Sequence, residues 1–135
     1  MLLLQEDMLQ FVLAQARDSY PYEACGLLGG SDGRVLKVQP MRNIADDPRT
    51  RYVMDPEELL AAFQDFEAND WDLLAIYHSH PAGPSHPSET DIAESYYPDV
   101  VYLIISLAVR HAPKVTAWTI RDGQASPAVL QVITS

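Results

Sequence analysis

Apolar residues recur along positions 5–19 at helical spacing, with Met8, Leu9, Val12, Leu13 and Ala16 on one stripe. Acids fill the first turn and Arg17 the last, which suits the helix dipole, and Pro21 stops the helix. The period then shortens. The runs "ACGLLGG" (24–30) and "VLKVQPM" (35–41) flank "SDGR", which predicts a β-hairpin. Polar positions 42–52, "RNIADDPRTRY", predict a loop. Asp55, Pro56 and Glu58 then suit the N-cap, N1 and N3 positions of a capping box, and Leu59, Leu60 and Phe63 the buried face of a second helix. "DLLAIYHSH" (72–80) predicts a buried strand, and a short helix is expected from about 88 to 96. "VVYLIISLAV" (100–109) is the strongest strand signal, followed by strands at 114–121 and 125–133 around the turn "RDGQ". No repeat, low-complexity tract or composition break interrupts residues 1–135, so the chain reads as one mixed α/β domain.

Composition narrows the function classes. Apolar residues make up 47% and charged residues 21% of the 135, which is globular rather than disordered. The net charge is −10 and no basic cluster stands out, so neither nucleic acid nor an anionic membrane is expected as a partner. Glu6 and Asp7 follow the N-terminal leucines too soon for a signal peptide, and no segment reaches the length of a membrane span. The expected setting is soluble and cytoplasmic. Cys25 is the one cysteine, so an internal disulfide and a multi-cysteine zinc site are both excluded.

The chemistry concentrates in residues 77–91, "YHSHPAGPSHPSETD". Side chains two apart on a strand share a face, so His78 and His80 can aim both imidazoles at one point. Pro81, Gly83, Pro84 and Pro87 make a stiff connection to Ser88-x-x-Asp91. That last pattern is a helix N-terminus in its own right, with Ser88 as cap and Asp91 at N3. A residue in a first helical turn can also reach a metal. Two histidines and a carboxylate leave a fourth position open, the arrangement of catalytic rather than structural zinc. Water activated there needs a proton acceptor. Glu89 is the candidate inside the loop. Glu23, at the mouth of the apolar run "ACGLLGG", is the candidate elsewhere, with an exposed strand-end acid as the plain alternative. There is no H-E-x-x-H helix, G-x-S-x-G elbow or phosphate loop.

With these residues assembled, the sequence resembles the JAMM (MPN-plus) zinc metallopeptidases. Their pattern is a glutamate before an apolar strand, then H-x-H, seven residues, and S-x-x-D. Here it reads Glu23, His78-Ser79-His80, residues 81–87, then Ser88-Glu89-Thr90-Asp91. "HSHPAGPSHPSETD" matches the prokaryotic form at every specified position, and "EACGLLGG" and the "N…P…Y…D-P-E" run of 43–57 are similar to the family too. The resemblance implies a cytidine deaminase-like α/β/α sandwich with a central mixed sheet. It implies that His78, His80 and Asp91 hold Zn2+, that Glu23 is general base and then acid, and that Ser88 donates a hydrogen bond to the oxyanion. It further implies hydrolysis after the diglycine tail of a small β-grasp partner, either ubiquitin-like or a sulfur carrier. The chain looks closest to the small prokaryotic members that trim a sulfur carrier, and it has little room for insertions that grip ubiquitin chains.

The competing readings are a non-catalytic MPN-type scaffold and a nucleobase deaminase. Scaffold relatives have lost the zinc ligands, which are kept here. Deaminases need H-x-E or C-x-E with P-C-x-x-C, which one cysteine cannot supply. His86 is expected to face solvent, His111 to sit in a turn, and Cys25 to be a buried thiol. Trp71, Trp118, Tyr96 and Tyr97 are expected in or beside the core. Gly29 and Gly30 are expected to serve backbone geometry at a turn. The irregular 42–53 segment is expected to border the substrate groove.

Overall fold

The structure, a computed structural model, describes residues 1–134. Strand β1 (Leu2–Gln5) leads directly into helix α1 (Glu6–Ser19), which buries Val12, Leu13 and Ala16. β2 (Cys25–Ser31) and β3 (Arg34–Met41) form the expected hairpin. Its two turn residues, Asp32 and Gly33, take φ of 54° and 76°, the positive values a two-residue type I′ turn requires. Asp122 and Gly123 repeat the device at φ 53° and 73° between β6 (Lys114–Arg121) and β7 (Gln124–Pro127). Helix α2 (Pro56–Ala68) and strand β4 (Asp72–His80) lie where the pattern puts them. Helix α3 (Glu89–Ala93), β5 (Val101–Ser106) and β8 (Leu130–Ile133) complete the order.

All the strands join one mixed sheet, ordered β7-β6-β5-β4-β2-β3-β1-β8. Leu28 and Ala75, from β2 and β4, pack with α1 on one face in a cluster that includes Leu103 and Ile105. The other face holds Cys25, Leu27, Ile76 and Tyr102 against Ala62 and Phe66 of α2 and Ile92 of α3. This is the expected α/β/α sandwich. A β-bulge decides which face β4 shows. Leu28 pairs with Ala75 but Gly29 with Leu73, so Leu74 is an extra residue and the alternation is reset. From Ile76 onward the even-numbered side chains, His78 and His80 among them, point toward α2 and α3.

Several expectations need correction. The N-terminal leucines form β1, because pairing with β3 and β8 buries Leu2 and Leu4. The strand expected at 125–133 is two strands on opposite edges of the sheet. Only Ala128 and Val129 separate them, and the three extended steps from Pro127 to Leu130 span at most about 11 Å. The sheet therefore curls until its edges meet: Ala128 N–H donates to Ala117 and Leu2 N–H to Val129. On α2, Leu60 is 59% exposed while Ala62 and Phe66 are buried. Asp55 caps that helix through Glu57 N–H, but Glu58 does not close the box. Its carboxylate instead accepts from Arg42 N–H at 2.9 Å. α3 is shorter than expected, and Tyr96 is 75% exposed rather than at the core. Gly29 and Gly30 lie inside β2, not at a turn, and close approach explains them. A Cβ on Gly29 would sit 2.6 Å from the Phe66 ring, and one on Gly30 1.9 Å from Arg34 O. Among the described residues no helix is long and apolar enough to cross a membrane.

Candidate metal centre

β4 ends on the two histidines, and its neighbours hold them from both sides. His78 pairs with Cys25 of β2 and Ile104 of β5, and His80 pairs with Ser106. The Pro-rich connection then folds back over the end of β5. Gly83 takes φ +77°, and a Cβ there would lie 3.1 Å from Ala108 Cβ and 3.2 Å from Ser106 Oγ, so glycine is required twice over. Thr116 of β6 holds the same connection by donating to the Ser85 carbonyl, while Trp118 Nε1–H donates to Thr116 Oγ1 at 2.9 Å. α3 then opens with a complete capping box: Ser88 Oγ accepts from Asp91 N–H at 3.0 Å, and Asp91 Oδ2 accepts from Ser88 N–H at 2.9 Å. The helix start and the candidate ligand are one residue.

The same Oδ2 lies 3.1 Å from His78 Nε2 and 2.9 Å from His80 Nε2, and the two nitrogens are 3.0 Å apart. His80 Nδ1 faces the Pro84 carbonyl at 2.7 Å. A carbonyl only accepts, so Nδ1 carries the proton and, in the neutral ring, Nε2 keeps its lone pair toward the other two atoms. Tetrahedral zinc with bonds of about 2.0–2.1 Å would set its ligands roughly 3.3 Å apart, close to this triangle. His78, His80 and Asp91 thus form a group that can hold a metal ion. Burial pulls the His78 imidazole below its ordinary value. Burial acts the same way on His80, but the Asp91 hydrogen bond and the Pro84 carbonyl outweigh it and raise the net value. Burial works to raise Asp91, yet the bonds from both histidines hold it well below the usual carboxylate range.

Glu23 reaches this centre through strand pairing. Past the Cys25–His78 pair, Ser79 N–H donates to Ala24 O at 3.0 Å and Ala24 N–H to Ser79 Oγ at 2.8 Å. Continuing that register places Glu23 opposite His80 on the same face. Glu23 is 4% exposed, and burial pushes its carboxyl up to about 8, with His80 opposing the rise and Asp91 adding to it. Glu23 Oε1 and His78 Nδ1 are buried with no hydrogen-bond partner among the described residues. A buried polar atom without a partner costs about 1–3 kcal/mol, so two of them at one place mark a chemical site rather than a structural core. Glu89 is exposed on α3. His86 is exposed and His111 lies in an exposed turn, as expected. Cys25 is fully buried, its S–H donating to Met41 O at 3.6 Å, and burial pushes the thiol up to about 12.

Two contributors were not named from the sequence. Tyr52 stacks on the His78 ring, centroids 4.6 Å apart. Asn43 ties the 42–55 segment to the Glu23 backbone: its amide donates to Glu23 O and Arg51 O and accepts from Ala45 and Val53 N–H. Both fall in the "N…P…Y" run, whose family likeness was the only available signal. The segment does border a hollow, since Arg51, Tyr52 and Val53 line a cavity of about 350 Å³ that Asp91 also lines.

A CysO-cysteine peptidase of Mycobacterium tuberculosis is 33% identical over 98% of this chain and 91% of its own. A desampylase of Haloferax volcanii is 39% identical over 76% of this chain and 78% of its own. A protein of Desulfitobacterium hafniense solved in solution superposes with a TM-score of 0.89 at 35% identity, covering 100% of this chain and 94% of its own. Residues 5–121 match the family described as prokaryotic homologs of the JAB domain, and the chain belongs to that family.

Proposed function

We propose that the protein is a zinc-dependent metallopeptidase that hydrolyses the peptide or isopeptide bond after the C-terminal diglycine of a small ubiquitin-like or sulfur-carrier protein. Residues 1–135 are read as one catalytic domain. The observation that carries the proposal is the convergence of His78 Nε2, His80 Nε2 and Asp91 Oδ2 beside a buried, unpartnered Glu23. The similarity to a CysO-cysteine peptidase and a desampylase supports the substrate class. His78, His80 and Asp91 would hold the ion. When bound, zinc supplies Lewis acidity toward the scissile carbonyl and lowers the pKa of water.

The remaining work falls to the protein's own groups. Glu23 takes the proton of the attacking water and later returns it to the leaving amine. A carboxyl whose proton affinity is raised by burial suits both transfers near neutral pH. Ser88 Oγ already accepts from Asp91 N–H, which leaves its own proton free to donate to the developing oxyanion. Tyr52, stacked on His78, and the Pro84 carbonyl on His80 hold the two rings in orientation.

Intact-mass analysis of sulfur-carrier proteins bearing short extensions after their diglycine tests the proposal. Zinc-loaded enzyme should remove mass until Gly-Gly is terminal. Glu23→Gln should keep its zinc yet lose at least about a hundredfold in turnover, since it lacks both proton transfers. Cleavage elsewhere, or near wild-type rates in Glu23→Gln, would overturn the assignment.

A further inference from the structure

Two hollows adjoin the candidate metal centre, one lined by Glu23 and the other by Asp91. Glu23 lines one of about 370 Å³ together with Tyr20 and Tyr22. The other, of about 350 Å³, has a floor of Leu27, Ile76 and Tyr102 and walls of Met54, Leu59 and Tyr97. Asp91 and Tyr52, the ring stacked on His78, line this second cavity, so it adjoins the candidate metal centre. The Arg51–Glu94 ion pair, 2.7 Å apart and partly exposed, joins two of its lining residues. An exposed pair of this kind contributes at most about 1 kcal/mol and does not bar entry.

The sheet sets the order of these features. Along β2 and β4 the paired levels run Cys25 and His78, then Leu27 and Ile76, and the Ala24–Ser79 hydrogen bonds extend the same register toward Glu23 and His80. The leaving amine must lie at the Glu23 end, because Glu23 protonates it. The acyl side of the substrate therefore extends toward Leu27 and Ile76. At about 3.3 Å per residue, that level lies roughly 7 Å beyond His78 and 13 Å beyond His80. An extended tail covers this distance in two to four residues, and the first two, both glycine, have no side chain to bury.

We infer that this apolar cavity is a specificity pocket for a large apolar side chain in the carrier tail, borne by the residue immediately before the diglycine or by the one preceding it. The inference rests on the function proposed above and adds to it a requirement on tail sequence. Without a side chain there, the cavity's apolar lining would remain against water in the substrate complex. Burying a leucine is worth about 1.5–3 kcal/mol, or roughly 10- to 100-fold in affinity.

The test uses tail peptides carrying Leu, Phe, Ala or Asp at each of the two positions before Gly-Gly, followed by one further residue. Binding is read by calorimetric titration into zinc-loaded Glu23→Gln protein, and cleavage by mass with the wild type. Leu or Phe should bind at least about tenfold more tightly than Ala at one of the two positions, and Asp more weakly, with kcat/KM in the same order. Leu59→Trp, which fills the cavity, should bring the Leu-to-Ala ratio toward one; if that variant does not fold, the wild-type series decides alone. Equal affinity for all four residues at both positions overturns the pocket even if cleavage stops after Gly-Gly. Apolar-dependent binding without any cleavage overturns the diglycine function and leaves the pocket standing. No binding of any peptide overturns both.

Discussion

Asp91 Oδ2 accepts from Ser88 N–H while facing both histidine nitrogens, so one oxygen closes a capping box and completes the candidate ligand set. The two duties can be separated. Asparagine keeps an oxygen for the capping box but has no charge for a cation. Asp91→Asn should therefore melt within a few degrees of the wild type in the metal-free state. It should lose metal affinity by at least two orders of magnitude, read by competition with a chromophoric chelator. Cys25 makes the opposite case, a reactive residue type in an inert place. Its thiol is fully buried and its pKa raised to about 12, above the ordinary value of 9.0. A raised folded pKa favours the protonated thiol, so this contribution to stability is intact below pH 9 and is lost as pH rises through 12. At pH 8 the native protein should resist alkylation by iodoacetamide, with full labelling only after denaturation, as intact mass will report.

At the scale of elements, the connection from β4 to α3 does the positioning. Its Pro84 carbonyl sets the His80 tautomer, its Ser85 carbonyl is held by Thr116, and Gly83 lets it pass close over Ser106. Gly83→Ala would force a Cβ into a positive-φ position and against Ala108, for a cost of roughly 1–3 kcal/mol. The strain falls on the carbonyl that orients His80. The variant should thus lose about 10- to 100-fold in metal affinity, the range seen when groups that orient ligands are lost. Equal metal affinity in wild type and variant would show that the connection does not position the ligand. The strands and helices themselves were largely legible from pattern, because α1, β4 and both "DG" hairpins agree with local propensity. Three of the misreadings share one physical cause. β1, the split of 125–133 and the exposure of Leu60 depend on which distant strand or surface lies alongside, and a local window carries no information about that.

For the whole molecule, the metal and the fold should be coupled. The candidate ligands come from the end of β4 and the first turn of α3, and the candidate base precedes β2. Binding to the folded state alone adds about 4 kcal/mol at a thousandfold excess over Kd. For a chain of this size that corresponds to roughly 15 °C. Zinc at such an excess over its Kd should raise the melting temperature by about that amount, and a chelator should remove the gain, as calorimetry will show. In Asp91→Ala, which loses the candidate ligand and one of the two capping-box hydrogen bonds, the gain should be abolished. A melting point indifferent to metal in the wild type would mean that the three donors are not a metal site.

Glu23 was singled out by the family resemblance rather than by local geometry, whereas the candidate ligand set was readable as a linear pattern, because H-x-H on a strand end, a stiff seven-residue connection and S-x-x-D on a helix start are local geometry. The helices, the two turns and the buried strands were readable for the same reason. Tertiary structure decided the rest. Glu23 stands opposite His80 only because β2 pairs antiparallel with β4 in one register, and a bulge at Leu74 sends both histidines to the face that α2 covers. Tyr52 and Asn43 gained their roles when the irregular segment folded back over that face. The curl of the sheet and the cavity beside Asp91 arise from pairings and packings between residues far apart in the chain, which hydrophobic periodicity does not encode.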